Sequence, residues 1–292
     1  MTDQQPGRHA VNTAQSKQAQ ISIMSNIAQK ILLFLAALLA AGGLSAQAGN
    51  KVVINWAPVR AAAPLGPFEI ARTETTVGQF REFVRATQWV TRAERLGGGQ
   101  VYEAGWVQKP GWYWARPFGR PAQDNEPAVH VDVEDARAFC RWAGGDLPTD
   151  AQWAAAAYTE WRPMPPAPFK TGQRYRYPTG DSPQGAQCLG DCGANAQARA
   201  VASAMGLWRG HGHALVGQTP AGVNGLFDMG ANAWEWTRPD SANSLGNSDS
   251  QWRTRGGSWW YGSEPMLENH VAYKPMQTTV VYIGFRCARP PQ

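Results

Sequence analysis

The sequence predicts an α+β protein of short strands, a few helices and much irregular backbone. Two observations point there. The 292 residues include 31 glycines, 21 prolines and 14 tryptophans, so turns are frequent and large rings rather than long helices must fill the interior. Helical spacing of apolar residues is confined to short stretches, and the chain shows neither an internal repeat nor a heptad pattern.

The first 48 residues read as an address. Lys30 is followed by the apolar run Ile31 to Ala41, then by small residues ending in Ala46-Gln47-Ala48. A basic flank, a short apolar core and an A-x-A exit describe a secretory signal. The run is too short for a comfortable permanent span. Export to a periplasm or medium is expected, with membrane contact only through this segment if it is kept. Met24 offers an alternative start. Residues 49–66 are read as a lead-in and 67–292 as the folded domain. The net charge of +5 falls once the signal is set aside, because Arg8, Lys17 and Lys30 outnumber Asp3 there. So small an excess leaves no nucleic-acid footprint.

Phe68 to Ala71 reads as a strand. Thr76 to Ala86 reads as an amphipathic helix, with Val77, Phe80, Phe83 and Val84 on one face. Gly97 to Asp124 is expected to cross the surface as an ordered loop. Its Trp106, Trp112 and Trp114 either line a groove or cover the core. A second helix is expected over Asp132 to Ala143, and a third from Thr149, where Thr149 with Gln152 makes a capping box. Trp161 to Arg199 reads as loops. In HGH, His211 and His213 could offer two metal ligands, but surface-loop histidines are the expected reading.

The stretch Val223 to Trp236, VNGLFDMGANAWEW, organises the rest. Asn-Gly and Gly-Ala-Asn reverse the backbone twice. Tryptophans flank Glu235, which is costly to dehydrate unless a cation or several donors meet it, and Asp228 lies seven positions earlier. Oxygen ligation of a hard cation and hydrogen bonding to backbone amides are the two readings. Four cysteines, an even count in an exported chain, are first read as two disulfides.

That stretch, RTRGGSWW at Arg253 to Trp260, GFRCAR at Gly284 to Arg289, and the blocks Phe68 to Val84 and Glu126 to Ala157 together resemble the formylglycine-generating enzyme (sulfatase-modifying factor) family. The resemblance implies a modified C-type-lectin-like fold. It also implies a disulfide from Cys140 to Cys287, which leaves Cys188 and Cys192 in CLGDC either to pair locally or to act as a redox pair. A structural calcium site is carried over onto Asp228, Glu235 and the carbonyls of Ala231 and Ala233. At a second calcium site, Asn195 and Ala196 match, but Arg209 and Gly210 stand where an acidic ligand is expected.

In the family's oxidases, cysteines three and eight residues past the serine of Gly-Gly-Ser hold copper. Here Tyr261 and Met266 occupy those positions after Ser258, so copper is not expected. The groove is assigned to Trp234, Ser258, Trp259, Trp260 and Tyr261, with Ser258, Tyr261, His270 and Glu268 as catalytic candidates. Two functions follow. One is a maturation or modification factor for a peptide or siderophore-type precursor, similar to the family's periplasmic pyoverdine-maturation members. The other is a silent lectin-like module binding a peptide, glycan or protein.

Overall fold

Among the described residues, each α-helix starts on a short polar side chain that can satisfy an otherwise unpaired amide. Thr76, Thr91, Asp132 and Thr149 all form complete capping boxes, with Gln79, Glu94, Asp135 and Gln152 reaching back. They open α1 (Val77–Thr87), α2 (Arg92–Arg95), α3 (Val133–Trp142) and α4 (Asp150–Tyr158). A computed structural model describes residues 52–193, 200–207, 210–240 and 251–292. The signal reading, Asn195, Ala196 and Arg209 lie outside the described residues.

The strands are β1 (Trp56–Val59), β2 (Phe68–Ala71), β3 (Gln100–Tyr102), β4 (Trp106–Gln108), β5 (Trp234–Thr237), β6 (Gln251–Arg255), β7 (Ala272–Pro275), β8 (Ile283–Gly284) and β9 (Ala288–Arg289). They form three sheets, ordered β1-β2-β9, β3-β4 and β7-β6-β5-β8. All neighbours are antiparallel except β5 and β8. Short strands, few helices and long connections give the α+β, C-type-lectin-like fold expected of the sequence.

Two expectations need correction. Residues 49–66 are more than a lead-in, because Trp56–Val59 pairs along its whole length with Phe68–Ala71. The stretch from Gly97 to Asp124 is not a plain loop either. Its start forms the β3-β4 hairpin, which the amide of Gln100 ties to the Thr279 carbonyl and the Val281 amide ties to Gln100.

The larger core is aromatic. Phe80 of α1 stacks on Phe139 of α3 at 5.7 Å and meets Phe285 edge-on at 6.2 Å. The disulfide Cys140–Cys287 fastens α3 to the segment after β8 across 147 residues. Closing a loop of that length stabilises by about 5 kcal/mol in the chain-entropy account. The second bridge, Cys188–Cys192, is local, and both cysteine pairs are those expected.

The polar heart of the fold is Arg286, which is fully buried. Its Nε and Nη2 donate to the two oxygens of Glu235 at 2.7 Å each, and its other bonds go to the carbonyls of Ala71 (3.0 Å) and Phe227 (2.8 Å). The Trp153 indole also donates to Glu235, at 2.7 Å. Replacing Arg286 by Met should lower stability by about 3–5 kcal/mol, because a buried carboxylate loses its countercharge. Adding Glu235→Gln should recover part of that loss in urea unfolding. A cost below about 1 kcal/mol would contradict the pairing.

His130 sits at φ 59° with Nε2 3.0 Å from the Pro117 carbonyl, fully enclosed. Burial pushes its pKa down from 6.5 to about 4. The unfolded chain therefore takes up a proton first as pH falls. Stability is complete above pH 6.5 and is lost between there and about 4, by at most about 3 kcal/mol from this group. His130→Asn, which tolerates the left-handed backbone, should flatten that part of the pH profile; an unchanged slope would refute the assignment.

Candidate functional site

The loop after β6 is shaped by Gly256, at φ 92°, where an added Cβ would lie 2.6 Å from the Met229 carbonyl. Only glycine fits there. The loop then turns on itself. Tyr261 donates its amide to the Ser258 carbonyl at 3.1 Å, and Trp259 donates to Asn232 at 3.0 Å. The Cys188–Cys192 turn holds the far side. Leu189 donates its amide to the Tyr261 carbonyl at 2.8 Å, while Asp191 accepts from the amide and hydroxyl of Ser263 at 2.8 and 2.7 Å. This bridge therefore props up the site loop.

Beside Tyr261 opens a cavity of about 370 Å³, with Tyr282 and Ile283 also lining it. The β3-β4 hairpin contributes Gln100 and Trp106, and the β7 segment contributes Lys274 and Thr278. Trp106 is 58% exposed. The Lys274 ammonium lies 5.7 Å from the Trp234 ring centroid, and burial holds its pKa below the ordinary lysine value. Among the described residues it has no carboxylate or hydrogen-bond partner.

Of the expected groove, only Tyr261 lines this cavity. Trp234, Ser258, Trp259 and Trp260 are buried at 0–3% exposure. The tryptophans pack on neighbouring rings instead, Trp259 on Trp260 at 5.2 Å and Trp260 on Tyr282 at 5.7 Å. They are core residues, which the run of aromatics in the sequence disguised. Glu268 is paired with Arg174 and does not line the cavity. His270 also stands outside the lining, with Nδ1 3.0 Å from Glu264 and its ring 5.8 Å from Trp234. Lys274 was missed by sequence reasoning, because the hairpin opposite it was read as loop and Ala-Tyr-Lys-Pro shows no apolar alternation that would turn the lysine inward.

His211 and His213 are buried rather than on a surface loop. His213 Nε2 lies 2.8 Å from Glu126, and its ring is 4.7 Å from Phe118. Burial raises the Glu126 pKa, but the His213 bond and charge, together with the Gln123 amide, outweigh it and the net shift is downward. Among the described residues, the sole cluster with metal-ligand spacing is Cys188, Asp191 and Cys192, whose sulfurs are joined to each other.

Of the residues carried over for calcium, the two carboxylates already accept hydrogen bonds within the protein. Glu235 is taken by Arg286 and Trp153. Asp228 accepts from the Gly217 amide at 2.6 Å and the Thr219 hydroxyl at 2.5 Å. Both carboxylates of the proposed calcium set thus have protein donors, with Arg286 supplying the countercharge to Glu235. The donor set does not fit copper held by two thiolates: Tyr261 offers a phenol, and Met266 is a fully buried thioether 3.7 Å from Cys192.

A family profile described as "Sulfatase-modifying factor enzyme 1-like domain" matches residues 36–291. The formylglycine-generating enzyme of Thermomonospora curvata is 29% identical over 289 residues, covering 80% of this chain and 85% of that protein. The inactive C-alpha-formylglycine-generating enzyme 2 of Bos taurus is 28% identical over 80% of this chain and 82% of its own. Among solved structures, CarF superposes with a TM-score of 0.53 at 18% identity, covering 82% of this chain and all of that one, a likeness of fold. With the Gly-Gly-Ser loop, the buried Arg286–Glu235 pair and the Cys140–Cys287 bridge in place, the chain belongs to the sulfatase-modifying factor family.

Proposed function

We propose that this protein is an exported modification enzyme that acts on a peptide or siderophore-type precursor at the cavity beside Tyr261, without cysteine-bound copper. The observation that carries the reading is the state of that loop. The two positions that hold copper in the oxidases are a phenol and a thioether, yet a cavity large enough for a small substrate stays open next to the phenol. The Tyr261 hydroxyl can both donate and accept. It can therefore hand a proton to, or share a hydrogen bond with, a group bound against Tyr282 and Ile283.

A second reading, a catalytically silent module for a peptide, glycan or protein, draws support from the hairpin. Tyr102, Trp106 and Val107 are 40%, 58% and 36% exposed, and Tyr102 props Trp106 edge-on at 5.5 Å. Exposed, rigid ring faces recognise ligands without any chemistry. The relative named inactive points the same way.

Two measurements test these readings, and the second separates them. A cysteine-containing sulfatase-type peptide incubated with the protein should yield no aldehyde that reacts with a hydrazide in mass spectrometry; conversion would refute the non-copper reading. In the native host, deleting the gene should cause an unmodified precursor to accumulate in extracts. Tyr261→Phe should reproduce that accumulation, with turnover down about 10²- to 10⁴-fold if the phenol is the proton-transfer group. Loss of the gene without any accumulating compound would favour the binding module.

A further inference from the structure

We infer that Lys274 makes the cavity beside Tyr261 selective for a ligand that carries a single negative charge on an apolar, ring-sized body, with a carboxylate as the fitting group. The inference rests on the same cavity as the proposed function and adds the substrate class. Of the residues lining that cavity, Lys274 alone is charged. It belongs to β7, where Ala272 and Lys274 are partly buried and Tyr273 and Pro275 exposed, so the strand's alternation turns the lysine inward. Its strand position is fixed by antiparallel pairing with Trp252.

An ammonium in such a place is unusual. Lysine normally keeps its charge in water or against a carboxylate. Among the described residues Lys274 has neither a carboxylate nor a hydrogen-bond partner, only the Trp234 ring face at 5.7 Å. Burial without a countercharge costs free energy, as its lowered pKa reflects. An anionic ligand would remove that cost on binding. The remaining walls set the rest of the ligand. Tyr282, Ile283 and Val280 are apolar faces, while Gln100 and Thr278 can supply neutral hydrogen bonds. One cation and no arginine among the lining residues match one negative charge better than the nearly double charge of a phosphate monoester. A cavity of about 370 Å³ takes a group the size of an aromatic amino acid.

The test uses the full chain with three probes of one size: 3-phenylpropionate, its neutral amide 3-phenylpropionamide, and phenyl phosphate. Ligand-observed NMR titration at pH 7 should show 3-phenylpropionate binding at least about tenfold tighter than the amide, the size expected of one charge-assisted contact. Lys274→Met should abolish the preference, and Lys274→Arg should retain it. As a second measurement, ¹³C-dimethylation of the lysines should give a Lys274 resonance whose pKa rises when 3-phenylpropionate is added. Equal binding of acid and amide, no binding of either, a preference that survives in Lys274→Met, or tighter binding of phenyl phosphate would each overturn the inference. The outcome is separable from that of the proposed function. A carboxylate preference with no accumulating precursor would leave this inference and remove the enzyme, whereas accumulation that depends on Tyr261 but not on Lys274 would do the reverse.

Discussion

The fold hangs on one guanidinium. Arg286 reaches Glu235 on β5, the carbonyl of Ala71 at the end of β2 and the carbonyl of Phe227 in the organising turn, while Trp153 of α4 closes on the same carboxylate. Two sheets, a helix and the central turn thus share a single polar centre. Dehydrating such a pair is expensive, and attraction repays it only when the remaining donors are also satisfied. Here four donors of Arg286 have acceptors. Two further carboxylates crowd in. Burial, with Asp228 and Glu235 adding to it, raises Glu74 well above its usual range, and burial raises Asp228 as well. Glu74 holds the turn itself, accepting from the Ala233 amide at 2.9 Å and from Asn232 at 2.6 Å. A centre of this kind fixes positions more than it adds stability, because an irregular chain has few ladders to fix them otherwise.

From that centre the site loop is placed in two steps. The centre sets Asn232, whose carbonyl receives Trp259. The Cys188–Cys192 turn then pins the other flank through Leu189 and Asp191. Tyr261 is thereby held without lying in the core, while its neighbours Trp259 and Trp260 are drawn inward. A residue held by backbone bonds on both sides keeps a fixed ring face towards the cavity, which is what recognition or proton transfer requires.

Much of this was legible in the sequence where local rules decide. Thr149 with Gln152 announced its helix because a hydroxyl and an amide three residues apart answer a purely local need. Phe68 to Ala71 was a strand by composition, and the Cys140–Cys287 pairing followed from the family resemblance. What failed was non-local. The hairpin Gln100 to Gln108 exists because it pairs with the segment around Val280, some 180 residues away in the chain, and no periodicity within six residues encodes that. The tryptophans after Ser258 failed for a related reason. A run of rings looks the same whether it faces a groove or the inside, and in this chain rings replace the aliphatic core. Glu235 was readable as a buried carboxylate needing a partner, but the sequence could not say whether the partner was an ion or Arg286, fifty-one residues on.

The replacement of the two copper-binding positions has different consequences on its two sides. Met266 is absorbed into the core. It is fully buried, and its terminal methyl sits so close to Gly230 that a Cβ there would come within 2.6 Å. Gly230 and Met266 are thus fitted to each other, and the volume a reactive site would need there is filled. Tyr261 went the other way and stayed at the surface of the cavity, facing Tyr282 at 5.8 Å. The chain therefore kept access at one position while closing the other. The open side is also the one that carries the partly buried, unpaired charge of Lys274, and removing a charge even partly from water without a partner costs free energy.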